Sequence, residues 1–147
     1  MTPPRVWLHL KNLAAQKRDA SARKLRDSLS RRVDAQRKLD ALIRYRQDYQ
    51  AKLDAAKRSG IGADGLRNYQ MFLANLERAI DQQTDALQVM ESDVGFAQTD
   101  WQHTQQRVDS LDTLDGRRAQ ATSEVEARRE QKLTDEFAAR RARGSGD

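Results

Sequence analysis

The residues that could do chemistry in this chain are two histidines, many carboxylates and a cluster of glycines. His9 and His103 lie far apart in the sequence, and neither has a second histidine one helical turn away to complete a metal-binding pair. The glycine cluster at 60–65 lacks the Gly-Lys-Ser/Thr ending of a phosphate-binding loop, and no strand precedes it. Because the 147 residues include no Cys, a disulfide framework and a thiolate zinc site are both excluded. We therefore expect no metal, no cofactor and no enzyme activity.

Apolar and aromatic side chains at helical spacing indicate binding instead. One set, Leu42, Tyr45 and Tyr49, is spaced i, i+3 and i+7. A second set follows about twenty residues later at i, i+4, i+7 and i+11. It consists of Phe72, Leu76, Ala79 and Gln83. The two sets can form one contact surface only if two helices bring them together.

A stripe of mostly apolar residues recurs at alternating steps of three and four in the second half of the chain. Its members are Leu66, Tyr69, Leu73, Leu76, Ile80, Gln83, Leu87, Met90, Val94, Ala97, Trp101, Thr104, Val108 and Leu111. An average step of about 3.5 residues is the period of a left-handed coiled coil, whereas a globular surface helix follows about 3.6 residues per turn. This stretch is therefore predicted to be a coiled-coil helix that needs a partner helix.

The partner is predicted to be the N-terminal part of the same chain. A second, less regular apolar pattern runs there without an internal Gly or Pro. Its members are Leu10, Leu13, Ala22, Leu25, Leu29, Val33, Leu39, Leu42, Ile43, Tyr49 and Leu53. The glycines at 60, 62 and 65 would each cost a continuous helix about 1 kcal/mol relative to Ala, so a break is favoured. Gly60 can take the left-handed conformation that closes a helix, and Asp64 can cap the next helix.

The sequence thus predicts an all-α fold in which two long helices form an antiparallel coiled-coil hairpin, as a single domain over residues 1–147. The expected segments are a first helix over about 4–58, a turn over 59–65, a second helix over about 66–142 and a flexible tail over 143–147. The C-terminal helix is expected to be longer and to extend beyond the first. A two-helix coil has no concave pocket that desolvates a carboxylate, so acid–base catalysis lacks a site.

The net charge of +5 is distributed unevenly. Residues 1–58 carry 16 Lys and Arg against 6 Asp, whereas residues 59–116 carry 3 basic against 10 acidic residues. Opposite charges on adjacent helices favour pairing within the chain over the binding of phosphates, so no nucleic acid is expected. The first ten residues contain no apolar run long enough for a signal peptide or a membrane span. We expect a cytoplasmic protein without direct membrane insertion that is a monomer when isolated.

Pairing of the two helices leaves some apolar side chains without a place in the seam. In the expected antiparallel register Tyr45 lies opposite Ala79, so the two sets of apolar residues are neighbours on one side. Leu42, Tyr45 and Phe72 are then surplus to the seam. A contiguous exposed apolar patch marks a binding surface. The alternative is that these side chains widen the core.

At these residues the sequence resembles the FliJ family of flagellar export proteins. The likeness covers nearly the whole chain, and its most specific part is Tyr45-x-x-x-Tyr49 followed by Asn68-Tyr69-Gln70-x-Phe72. The similar segments are Leu42–Tyr49, Gly60-Ile61, Asn68–Leu73, Leu76–Ile80, Trp101 and Gln131–Phe137.

The resemblance implies a small antiparallel coiled coil similar to the stalk of the rotary F-type ATPase γ subunit. Members of the family are associated with the hexameric export ATPase FliI and its regulator FliH, with the export gate protein FlhA, and with flagellar export chaperones. The implied gate-binding surface consists of Leu42, Tyr45, Tyr49, Phe72, Leu76, Ala79 and Gln83. By analogy with a γ-type stalk, basic residues near the open end are expected to face the ATPase ring. They are Arg5, Lys11, Lys17, Arg18, Arg117, Arg118, Arg128, Arg129 and Lys132.

The expected function is that of a non-enzymatic component of the flagellar type III protein export apparatus. It would couple the ATPase ring to the gate and assist chaperone cycling, and so serve flagellum biogenesis and motility. It would be peripherally associated with the inner membrane at the flagellar base. Two alternatives stay open. One is a YscO-like injectisome stalk, which the Asn68–Phe72 segment disfavours, and the other is a basic nucleic-acid-binding coiled coil whose binding would collapse with salt.

Overall fold

The computed structural model describes residues 4–145, and this range consists of two α-helices joined by a short turn. Helix α1 spans Pro4–Ser59 and helix α2 spans Ala63–Gly144. The helices pack against each other and α2 is the longer, which confirms the predicted all-α hairpin. The predicted tail over 143–147 begins as helix, and its last two residues lie outside the described range. Within the described residues, neither helix is long and apolar enough to cross a lipid bilayer.

The turn between the helices follows from its glycines. Gly60 has a φ of +85°, in the left-handed region that favours glycine, and its N–H donates back into the last turn of α1 at 3.4 Å. The Leu66 N–H donates to the Gly62 carbonyl at 3.0 Å, so α2 begins at Ala63, earlier than predicted. Asp64 therefore does not hold the capping position predicted for it. It lies in the first turn, where its carboxylate is stabilised by the positive end of the helix dipole.

Contacts between the helices divide the chain into two compact units, each made of part of α1 and part of α2. The turn unit comprises Asp19–His103. The terminal unit comprises the described parts of residues 1–18 and 104–147.

The core of the turn unit is a narrow seam between α1 and α2. Its buried apolar residues are Ala35, Leu39, Leu53, Leu76, Ile80, Leu87, Val94 and Ala97. Four of them form one contiguous cluster, namely Ala35, Leu39, Ile80 and Leu87. Burial of apolar surface is worth roughly 25 cal/mol per Å², so a continuous seam of this kind stabilises the pairing of two otherwise polar helices.

The predicted seam of α2 is confirmed, because every one of its members from Leu66 to Leu111 is buried or half-buried. On α1 two predicted seam positions are wrong, since Leu13 is 41% exposed and Val33 is 40% exposed. Ala14 and Ala35 are buried in their place. A shift of one residue turns a helical side chain by about 100°, so the rotation of α1 that directs Ala14 and Ala35 toward α2 directs Leu13 and Val33 away from it.

In the terminal unit the pairing of α1 with α2 ends near Arg118, which is half-buried. Ala14 and Leu111 are the buried apolar residues of this unit. Every described residue from 119 to 145 is exposed, so this last part of α2 is not covered by α1.

Candidate functional site

Four aromatic rings from both helices meet in the turn unit, and we call this group the aromatic cluster. Tyr49 of α1 is its centre, with its ring centroid 4.1 Å from that of Phe72 and 5.1 Å from that of Tyr69. The Tyr45 ring lies 6.4 Å from Tyr49 and packs edge-on against Phe72 at 5.8 Å. Rings at such separations and angles attract each other, so the cluster is a packed apolar group and not a set of independent side chains.

The cluster forms because each helix presents two rings on the same side. Tyr45 and Tyr49 are four residues apart on α1, and Tyr69 and Phe72 are three residues apart on α2. The antiparallel pairing places the two sets opposite each other. Sequence reasoning assigned Tyr69 to the seam alone and missed it as a member, although its spacing from Phe72 was a usable signal.

Exposure is graded across the cluster. Tyr45 is 52% exposed, whereas Tyr49, Tyr69 and Phe72 are half-buried. Leu42 is half-buried and packs against the contiguous core cluster. Tyr45 is therefore the member whose surface is available to another molecule, and the other rings hold it in place.

The other residues predicted for this surface take different positions. Leu76 is 7% exposed and belongs to the seam, so it offers little surface to a partner. Ala79 is half-buried. The side-chain amide of Gln83 donates to the backbone carbonyl of Ala35 at 3.0 Å, which ties α2 to α1. The structure thus brings Tyr45, Tyr49 and Phe72 together and places Leu76 and Gln83 between the helices.

The basic residues predicted to face an ATPase ring are not equivalent. Lys11 Nζ lies 3.3 Å from Asp112 Oδ1 and 3.1 Å from Asp115 Oδ2. Arg118 Nη2 lies 3.1 Å from Asp115 Oδ1. The hydrogen bonds from Lys11 and Arg118 lower the pKa of Asp115, and those to Asp115 and Asp112 raise the pKa of Lys11. These two cations are engaged within the chain, and the acidic partners were not predicted.

The remaining predicted basic residues are mostly exposed. The exposed ones are Arg5, Lys17, Arg117, Arg128, Arg129 and Lys132. Arg18 is half-buried and has an interaction of its own. The uncovered part of α2 also exposes large apolar side chains, with Leu133 at 66% and Phe137 at 67%. A helix that exposes both cations and apolar side chains is suited to binding another protein.

Metal binding finds no structural support in the described range. No group of three or more His, Cys, Asp or Glu side chains between residues 4 and 145 is arranged to hold an ion. His9 and His103 are both exposed.

Comparison with known proteins finds a matching family model and relatives of similar sequence. A family model described as "Flagellar FliJ protein" matches residues 8–147. The chain is 35% identical over 133 residues to the flagellar FliJ protein of Salmonella typhi. It is 34% identical over 133 residues to that of Escherichia coli (strain K12). Each alignment covers 90% of this chain and 90% of the relative, so the similarity extends over both helices.

Proposed function

This chain belongs to the family of flagellar FliJ proteins, and from that premise we propose that it is a non-enzymatic component of the flagellar type III protein export apparatus. It couples the hexameric export ATPase FliI, with its regulator FliH, to the export gate protein FlhA. It also assists the cycling of flagellar export chaperones. It acts in the cytoplasm, peripherally associated with the inner membrane at the flagellar base.

The observation that carries this proposal is the partly exposed aromatic cluster. Tyrosine and tryptophan dominate the energetics of many protein interfaces, and Tyr45 presents a ring that is 52% exposed on a packed support. The gate-binding surface is accordingly centred on Tyr45, Tyr49 and Phe72. Leu76 and Gln83 contribute by holding α1 and α2 together beneath it.

We assign the surface that contacts the ATPase ring to the terminal unit. Arg128, Arg129 and Lys132 are exposed on the part of α2 that α1 does not cover. Exposed arginine side chains can donate paired hydrogen bonds to carboxylates of a partner. Lys11 and Arg118 hold Asp115, so they support the end of the helix pair and are less available to the ring.

The gate assignment is tested by titrating Tyr45→Ala against the cytoplasmic domain of FlhA. Loss of an aromatic anchor should weaken binding by about 2 kcal/mol or more. Stimulation of the ATPase should be unchanged, because the substitution lies in the turn unit. Met71→Ala is the matched control, since Met71 is 61% exposed on the same unit and has no part in the aromatic cluster. Unchanged gate affinity of Tyr45→Ala would remove the basis for this assignment.

The ATPase assignment is tested by removing residues 119–147. Every described residue in this segment is exposed, so the thermal unfolding of the turn unit should be unaffected. Stimulation of FliI turnover should be lost, because the exposed cations of α2 are removed. Full stimulation by the shortened chain would show that the ring contacts another part of the protein.

A further inference from the structure

A groove of about 310 Å³ lies between α1 and α2 in the turn unit, at a different level from the aromatic cluster. Ala97 and Ser28 contribute to its lining, and their small side chains leave room for a larger one. Phe96 stands at its edge and is 73% exposed, the largest exposed fraction of any large apolar side chain in the described range. Phe96 lies outside the seam, whose nearest members are Val94 and Ala97. The exposed ring and the groove beside it therefore form one surface that has both a protrusion and a recess.

The two sides of the groove carry opposite charges. Lys24 and Arg31 line it from α1, and Asp93 and Asp100 line it from α2. Asp27 of α1 reduces the positive charge of the first side without reversing it. All five side chains are exposed, and none of them takes part in an ion pair among the described residues.

We propose that this groove binds a second copy of the chain, with Phe96 of each copy entering the groove of the other. The groove contains both elements that an isologous contact requires, because the protruding side chain and the space for it belong to the same surface. The opposite charges of its two sides make that surface complementary to itself.

The charges also favour one of the two possible orientations of the two-fold axis that relates the copies. A two-fold axis across the helices would place α1 of one copy over α1 of the other and oppose like charges. A two-fold axis parallel to the helices places α1 of one copy over α2 of the other. Arg31 then faces Asp93 of the second copy and Lys24 faces Asp100 of the second copy, since the antiparallel pairing sets these residues at corresponding levels. Opposite charges attract and like charges repel at this range, so the second arrangement is the one proposed.

We expect the proposed contact between the two copies to have a low affinity. A phenylalanine side chain buries about 150–250 Å², so a contact centred on Phe96 is small beside the roughly 800 Å² per partner that a stable interface buries. We therefore expect self-association with a dissociation constant between about 10 μM and 1 mM, which leaves the dilute chain monomeric. High salt should weaken it further, because exposed charge pairs are screened over about 3 Å at 1 M ionic strength.

The first test is sedimentation equilibrium of the full chain at concentrations up to about 1 mM. The unmodified chain should show a monomer–dimer equilibrium, and Phe96→Ala should weaken it by about 30-fold, as expected for loss of an aromatic anchor. Phe137→Ala is the matched control, because Phe137 is 67% exposed but lies in the terminal unit. Its self-association should equal that of the unmodified chain.

The second test exchanges charges between the two sides of the groove. Arg31→Asp opposes two acidic residues in the dimer, and Asp93→Arg opposes two basic residues, so each variant alone should associate at least about tenfold more weakly. A mixture of the two variants should recover the original affinity, because each new charge then faces an opposite charge on the other variant. The alternative arrangement, in which α1 of one copy lies over α1 of the other, does not predict this recovery.

Several results would overturn the proposal. They are a chain that stays monomeric at every concentration, self-association that survives Phe96→Ala, and a mixture of charge variants that associates no better than either variant. If the chain is monomeric and Phe96→Ala instead weakens binding of an export component, the groove belongs to a different protein. The gate titration of Tyr45→Ala is independent of these measurements, so failure here leaves the proposed function untouched.

Discussion

At the level of single residues, the rings of the aromatic cluster divide into one that is accessible and three that support it. Tyr49 contacts all the other members, and Phe72 contacts both Tyr45 and Tyr49. Tyr45 occupies the edge and keeps about half of its surface in solvent, at 52%. Binding and stability can therefore be separated at Tyr45, but less cleanly at Tyr49 or Phe72.

This division predicts unequal costs of truncation to alanine. Tyr45→Ala should lower the free energy of unfolding by less than about 1 kcal/mol, as for an exposed side chain. Phe72→Ala should cost more, because Phe72 is half-buried and its ring centroid lies 4.1 Å from that of Tyr49, so the substitution removes apolar burial and the closest ring contact of the cluster. Leu87→Ala is the reference, since Leu87 is 8% exposed and a buried leucine should cost about 2–5 kcal/mol. Urea unfolding followed by circular dichroism measures all three, and equal losses would refute the division.

The ion pairs of Asp115 should make a contribution to stability that depends on pH and salt. Its pKa is lowered, so the stabilisation that it contributes is present above the ordinary aspartate pKa of about 3.9 and is lost as the pH falls through its folded-state value. The raised pKa of Lys11 gives the opposite sign, with a contribution lost only as the pH rises through its folded-state value in the alkaline range.

At neutral pH and low salt, Asp115→Asn should therefore increase amide hydrogen exchange in the first turns of α1. The increase should shrink at about 1 M salt, where exposed charges are screened. Asp109→Asn is the matched control, because Asp109 accepts a hydrogen bond from Gln105 of its own helix and not from α1. Equal exchange in both variants would show that the ion pairs do not hold the helix end.

At the level of elements, α1 and α2 each carry one narrow apolar seam on an otherwise charged surface. A helix of this composition is stable in water mainly through its partner, because packing of the apolar face supplies most of the stabilisation. The turn that allows the pairing depends on Gly60, and the continuity of α2 through Gly95 does not depend on glycine. The two glycines should therefore respond oppositely to the same substitution.

Gly60→Ala should lower the free energy of unfolding by about 1–2 kcal/mol, because its φ of +85° is strained for a residue with a Cβ atom. Gly95→Ala should raise it by up to about 1 kcal/mol, because alanine favours a helix and the added Cβ would have no atom within 4 Å apart from the adjoining backbone of its own helix. Chemical denaturation of the two variants decides the comparison. An unchanged free energy of unfolding in Gly60→Ala would mean that the turn can form without a glycine at this position.

At the level of the whole molecule, the uneven charge is only partly used in ion pairs between the two helices. Arg46 and Glu77 do pair across the helices, with 2.9 Å between Nη1 and Oε1. Arg31 and Asp93, however, line a groove and face solvent. Some of the opposite charges thus pair across the two helices, whereas others lie exposed on the two sides of a groove.

Pairing within one chain predicts a short distance between spin labels at Arg44→Cys and Arg78→Cys. The chain has no Cys of its own, so these two positions would be the sole labelling sites. The distance should reflect adjacent helix axes about 8–10 Å apart plus the label linkers. It should persist when labelled protein is diluted with a large excess of unlabelled protein. Loss of the short distance on dilution would indicate that the helices pair between chains.

The seam of α2 and the position of the turn could be predicted from the amino-acid sequence alone. The alternation of three and four from Leu66 to Leu111 is a property of one helix, and it holds whatever the partner is. The conformational freedom of Gly60 is likewise local to its own backbone. The likeness at Tyr45 and Phe72 added the family, which the comparisons then confirmed.

Neither the choice of Ala35 over Val33 for the seam nor the ion-pair partners of Lys11 could be predicted from the residue order. Each depends on the rotation of α1 about its axis and on the axial register of α1 against α2. A shift of one residue turns a helical side chain by about 100°, which exchanges a buried position for an exposed one. The periodic pattern of α1 is too irregular to define that rotation, so packing against α2 decided it.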